Sequence, residues 1–192
     1  MSRAIARQAD LTAANDDVLF AQMASGDLSA LGELFDRYHT NVRHFLLRLL
    51  VNPAEVDDLV QETFLTASRA AGSFTPGAPG RPFLFGIAAQ LVRRRKRGFA
   101  RLRRMLESFG SHPTEPTKSQ RDAIETDQRH AALHAAMAKL NERHREVLLM
   151  VELGEMSGVE VAAALGIPPG TVWRRLSEAR AELARRLKGM DP

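Results

Sequence analysis

The chain has 192 residues, no cysteine, and 27 Lys and Arg against 23 Asp and Glu, a formal net charge of +4. Disulfides and cysteine-ligated zinc are excluded, a reducing compartment is permitted, and a pI near 10.1 favours an acidic partner. No stretch is apolar for long enough to span a bilayer, and the N-terminus lacks the apolar run of a signal peptide. Nucleic acid is therefore the better partner, with no membrane insertion and a cytoplasmic location.

Helical periodicity runs through nearly the whole chain, with hardly any alternating Val/Ile/Thr pattern, so the fold class is all-α. Residues 1–15 read as a polar arm. A short helix begins near Asp16, with Val18, Leu19, Ala21 and Met23, and stops at Gly26. Asp27 then caps a long helix. Its seam, Leu28, Leu31, Phe35, Tyr38, Val42, Phe45 and Leu49, alternates spacings of three and four. His39 and His44 lie five apart on it, off the spacing that favours a shared metal.

Asn52-Pro53 restarts the chain as cap and first helical residue. Glu55, Asp57 and Asp58 crowd the first turn of the next helix, where the helix dipole favours negative charge. Val56, Leu59, Val60, Phe64 and Leu65 are its apolar part. Asp57, Asp58, Gln61 and Glu62 share a polar face. That face reads as an acidic docking surface, a divalent-metal cluster or plain solvated surface.

Residues 73–82 form a Pro/Gly loop. Pro82 starts a helix with Phe83, Leu84, Ile87, Ala88, Leu91 and Val92 inward, which then turns strongly basic through Arg93, Arg94, Arg95, Lys96 and Arg97. Like charges at this density repel one another, and a polyanion backbone is the natural counter-ion. Phe74, Phe83 and Phe85 flank the loop; aromatics beside cations suit unstacked bases, while at least one of the three reads as core. From Glu107 to about Asp127 the composition turns polar, with Gly110, Pro113 and Pro116, which reads as a linker. Ala132, Leu133, Ala136, Met137 and Leu140 resume a helical face. His130 and His134 are spaced i, i+4 but have no third ligand nearby and read as surface. Asn141 caps another helix with Val147, Leu148, Met150 and Val151 inward, ended by Gly154.

The segment Met156–Leu187 reads as a helix-turn-helix. Ser157 and Glu160 have capping-box spacing, Gly166 suits the left-handed turn, Ile167 plugs it, and Pro168 or Pro169 starts the second helix. Val172, Leu176, Ala179, Leu183 and Leu187 face inward. Thr171, Trp173, Arg174, Arg175 and Arg180 are left on the side that enters a major groove. Two basic segments on separate helical domains argue for DNA read at two places.

The residues DDLVQETFLTA (57–67), RPFLFGIAAQLVRRRKR (81–97) and LNERHREVLLMVELGEMSGVEVAAALGIPPGTVWRRLSEARAEL (140–183) resemble an extracytoplasmic-function sigma factor of the sigma-70 family. The resemblance implies two small helical domains joined by a flexible linker, the C-terminal one a four-helix domain with the helix-turn-helix. The arm is 1–15, region 2 is 16–107, the linker is 108–127, and the helix-turn-helix of region 4 is 128–192. It further implies a non-enzymatic subunit, without cofactor or metal, that binds core RNA polymerase and promoter DNA. Asp57, Asp58, Gln61 and Glu62 would dock on the polymerase. Arg81, Phe83, Phe85, Gln90, Arg93 and Arg94 would melt the minus-ten element and hold an extruded non-template base. Thr171, Trp173, Arg174, Arg175 and Arg180 would read the minus-thirty-five duplex. An anti-sigma factor is an expected further partner. Departures from the family's pattern fall where side chains choose bases: Phe83 for tryptophan, Ala89-Gln90 for Arg-Asn, and Trp173 for Lys or Arg. The competing readings are a stand-alone helix-turn-helix regulator, which would bind its duplex alone, and a metal-dependent nuclease built on Asp57, Asp58 and Glu62.

Overall fold

The computed structural model describes residues 15–50, 53–108, 133 and 135–188; the arm, nearly all of the linker, and His130 and His134 lie outside them. Among the described residues every regular element is a helix. They are α1 (Asp16–Ala24), α2 (Leu28–Leu49), α3 (Val56–Arg69), α4 (Gly80–Ser108), α5 (Glu142–Glu152), α6 (Gly158–Leu165) and α7 (Pro169–Lys188). Single 3₁₀ turns at Pro53–Glu55 and Ala71–Ser73 flank α3, and residues 135–138 form a short helical turn.

Side chains placed at the helix starts explain most boundaries. Asn15 accepts from Val18 N–H at 3.0 Å, Asp27 from Ser29 N–H at 3.0 Å and Asn141 from Arg143 N–H at 3.0 Å, each satisfying a donor the helix cannot. The capping box at α6 is complete: Glu160 N–H donates to Ser157 Oγ at 3.3 Å, and Ser157 N–H donates to Glu160 Oε2 at 2.7 Å. Gly166 takes φ +64°, so α6 ends there, and Ile167 N–H reaches back to the Ala162 carbonyl at 3.0 Å. Pro169 then opens α7.

Three expectations shift. The fourth helix opens at Gly80 rather than Pro82. Ahead of α3, Pro53 opens a 3₁₀ turn, and the α-helix starts only at Val56. Leu28 heads the expected α2 seam but is 76% exposed; it is the first helical residue, and burial begins a turn later at Ala30, Glu33 and Leu34.

Two apolar clusters hold the helices together. The smaller joins Leu19, Phe20 and Met23 of α1 to Ala30 and Leu34 of α2 and to Ala71 and Phe74. The larger gathers Val42, Phe45, Leu46 and Leu49 of α2, Leu59 and Phe64 of α3, and Leu84, Phe85, Ala88 and Val92 of α4. It continues without a break into Val147–Met150 of α5, Val161 and Ala162 of α6, and Val172, Leu176 and Ala179 of α7. The two halves expected from sequence therefore share one core. Phe85 stacks on Phe45 with centroids 4.6 Å apart, inside this shared region. Gly86 lets α4 and α6 approach: a Cβ there would meet the Ala164 carbonyl oxygen at 2.6 Å.

Polar groups seal the same junction. Arg145, almost fully buried, donates to the Leu49 carbonyl at 2.9 Å and to the Ala138 carbonyl at 3.2 Å. Glu146, also buried, pairs with Arg93 of α4 at 2.5 Å. Lys96 pairs with Glu142 at 3.1 Å. Burial pushes the Glu146 carboxyl above its ordinary value, and the Arg93 guanidinium opposes that shift without cancelling it.

Candidate polymerase and nucleic-acid interfaces

On α3, Leu59, Val60, Thr63 and Phe64 are buried, and this turns the intervening polar residues outward. Asp57, Asp58 and Gln61 are exposed and Glu62 is half-buried, so the structure brings all four to one face. Asp57 is held by Arg43 Nε at 3.0 Å, while Glu62 lies 3.7 Å from Arg95, which also pairs with Glu55. These are surface pairs, worth under about 1 kcal/mol each, which a docking partner can displace. Among the described residues no group of three or more His, Asp or Glu is placed to hold a metal ion. Leu65, expected inward, is 51% exposed at the end of this face.

The 73–82 loop and α4 place the second set of candidates unevenly. Gln90 and Arg94 are exposed. Arg81 is half-buried and donates to the Gly154 carbonyl at 3.0 Å, with Glu155 at 3.5 Å. Arg93 is spent on Glu146. Phe83 is half-buried, edge-on to Phe20 at 5.2 Å and to Phe74 at 5.5 Å. Phe85 does not face outward as expected. It is 1% exposed, between Phe45 and Gly154, so its ring is core and not a stacking platform for a base. Its position two residues after Phe83 puts it on the opposite side of α4.

On α7, Val172, Leu176 and Ala179 point into the core. Trp173, Arg174 and Arg180 are exposed, and Thr171 and Arg175 are half-buried. Arg180 grips Glu152 Oε1 through Nε at 3.2 Å and Nη2 at 2.8 Å. Partial burial, and then the neighbouring Arg143, hold the Arg175 guanidinium below its ordinary pKa, with Glu146 opposing. Arg175 thus belongs to the charged junction with α4 and α5 as well as to the outer face. The Trp173 indole lies over Gly158, where a Cβ would meet ring carbons at 2.5–2.8 Å.

Sequence reading assigned no place to Arg145 and Glu146, which the structure buries. The signal was present: Arg145 is spaced i, i+4 with Leu149, and Glu146 with Met150, so both fall on the apolar stripe. It also assigned no role to Asp16 and Asp17.

Comparison with known proteins follows the same division of the chain. Residues 34–104 match the model of sigma-70 region 2, and residues 130–183 match that of sigma-70 region 4. The RNA polymerase sigma factor CnrH of Cupriavidus metallidurans is 32% identical over 179 residues, covering 88% of this chain and 92% of that one. The ECF RNA polymerase sigma factor SigM of Mycobacterium tuberculosis is 33% identical over 180 residues, covering 90% and 85%. The chain belongs to the sigma-70 family, in its extracytoplasmic-function branch. A solved structure of CnrH in complex with the cytosolic domain of CnrY superposes with a TM-score of 0.67 at 29% identity, covering 92% of this chain and 99% of that one. A sigma factor gives core RNA polymerase its promoter specificity, and with both regions present the stand-alone regulator reading falls. No described helix is long and apolar enough to cross a membrane.

Proposed function

We propose a division of labour among the faces of this sigma factor. Residues 16–107 act as region 2, 108–127 as linker and 128–192 as region 4. Asp57, Asp58, Gln61 and Glu62 dock on core polymerase. Arg81, Phe83, Gln90, Arg93 and Arg94, with the 73–82 loop, open the minus-ten element and hold a non-template base. An extruded base costs a few kcal/mol of stacking, which cations and a half-exposed aromatic ring repay. Thr171, Trp173, Arg174, Arg175 and Arg180 read the minus-thirty-five duplex. The polypeptide makes no bond itself; the polymerase supplies the chemistry, in the cytoplasm. The observation that carries this reading is a single chain matching both regions in order, with an acidic face on α3 and an arginine-bearing face on α7 both open to solvent.

An anti-sigma protein is part of the reading. Its support is that CnrH is known in complex with CnrY, and that a sigma factor RpoE is known in complex with the anti-sigma factor NepR from Bartonella quintana. Arg81 and Arg93 are tied to Gly154 and Glu146 of the C-terminal half, so engaging DNA through them requires the two halves to part.

Run-off transcription with purified core polymerase on a genomic fragment library tests the proposal. Arg174→Ala and Arg175→Ala should each lower promoter-specific transcript about tenfold, as expected for loss of one good base or phosphate contact, while polymerase binding is kept. A chain that fails to bind core polymerase, or binds without selecting start sites, overturns it.

A further inference from the structure

The loop between α3 and α4 is held by α1, a helix that the division of labour above leaves without a task. Asp16 Oδ2 accepts from Gly80 N–H at 2.9 Å and from the Tyr38 hydroxyl at 2.6 Å, and Oδ1 accepts from Arg37 at 2.9 Å. The fit leaves no room for a side chain at the far end of the loop: a Cβ on Gly80 would meet Asp16 Oδ2 at 2.6 Å. Asp17 takes the near side, both carboxylate oxygens accepting from Gly77 N–H at 2.8 and 3.0 Å. Gly77 has φ +80°, a conformation that side-chain-bearing residues rarely adopt, so this bond fixes a turn that the chain does not form by default. Beneath them Phe20 stacks on Phe74 at 3.9 Å and meets Phe83 edge-on. An open cleft of about 440 Å³ lies between α1 and the loop, with Asp17, Arg37 and Pro79 on its walls.

We infer that Asp16 and Asp17 are positioning residues for the 74–80 loop, and that through it they set which base of the melted strand the protein accepts. The inference rests on the proposed role of this loop in holding a non-template base. Two carboxylates some sixty residues upstream fix two backbone amides and so the shape of a segment whose apolar anchor, Phe74, lies at its start. A loop with those amides released samples many shapes, and discrimination between bases that depends on one shape is lost before binding is. Asp17 is the cleaner lever, because it lies at the rim while Asp16 is tied to Tyr38 and Arg37.

The experiment uses the full chain with core polymerase and a promoter set in which each minus-ten base is varied in turn. The readout is the ratio of transcript from the preferred base to that from its substitutes. Asp17→Ala should bring this ratio at least threefold closer to one at a single position, with unchanged polymerase affinity and unchanged thermal midpoint. Asp17→Asn, whose amide oxygen still accepts from Gly77 N–H, should restore most of it. A ratio unmoved in Asp17→Ala overturns the inference, as does an equal loss in both variants that tracks the thermal midpoint. A wild-type chain with no base preference at any minus-ten position would instead sink the loop's proposed role, and the inference with it.

Discussion

Trp173 and Gly158 form a pair whose two members sit fifteen residues apart on the two helices of the helix-turn-helix. The indole is 55% exposed yet folded over a glycine that has no room for a methyl group. Since the ring has open solvent on its other side, Gly158→Ala should swing it outward rather than unfold the domain, at a cost of about 1 kcal/mol or less. The chain has a single tryptophan, so its emission reports the move directly. A shift to longer wavelength, with helical circular dichroism unchanged, is the expected result. Residues whose role is local were readable from sequence: Ser157 with Glu160 at capping distance, Gly166 at the turn, and Asn141 and Asp27 as caps. Residues whose role depends on a distant partner were not. Nothing near Phe85 in the chain announces that Phe45 and Gly154 close over it, and nothing near Asp17 announces Gly77.

At the level of elements, α6 has eight residues, with too few internal bonds to be stable alone. It depends on its reciprocal cap and on the burial of Val161 and Ala162. Ser157→Ala removes the side-chain acceptor for Glu160 N–H and should cost about 1 kcal/mol. In a chain of this size that lowers the thermal midpoint by about 2–4 °C, measurable by circular dichroism. Helix type was legible among the described residues because the apolar spacing is three and four in most elements. Boundaries moved by a few residues where prolines stand near, since proline fits both a 3₁₀ turn and a first α turn. The start of α4 conveys more than its boundary: residues 82 and 84–89 are buried with almost no outward face, and a helix apolar all round must be covered on all sides. That pattern held the sign that something beyond region 2 packs here.

The whole molecule is organised by that covering. Sequence reading expected two domains on a linker and left their arrangement open; the described structure puts α5, α6 and α7 directly on α2 and α4 through one continuous apolar cluster. A carboxylate sealed in this junction makes the closure sensitive to pH. Glu146 has its pKa raised by burial, so its contribution to stability is fully present below the ordinary value of 4.5 and is lost as pH rises through the raised native value. Glu146→Gln should therefore gain on the wild type as pH climbs above 4.5, giving a flatter profile of thermal midpoint against pH. Arg93→Ala does the reverse. It removes the direct ion pair of a buried carboxylate and leaves only Arg175 and Lys96 to offset it, at a cost of up to about 3 kcal/mol, and that cost should shrink on acidification. In the double variant the two effects should fail to add, which a double-mutant cycle measures.

The shared core also bears on how the protein is born. Synthesis runs from the N-terminus, so Phe85 leaves the ribosome well before Gly154, the residue that caps its ring. At about 5–20 residues per second, several seconds pass in which the apolar flank of α4 has no cover. During that interval the nascent half presents its arginine-rich helix with neither Glu146 nor Glu142 there to occupy Arg93 and Lys96. A polymerase that meets the chain then finds it already open.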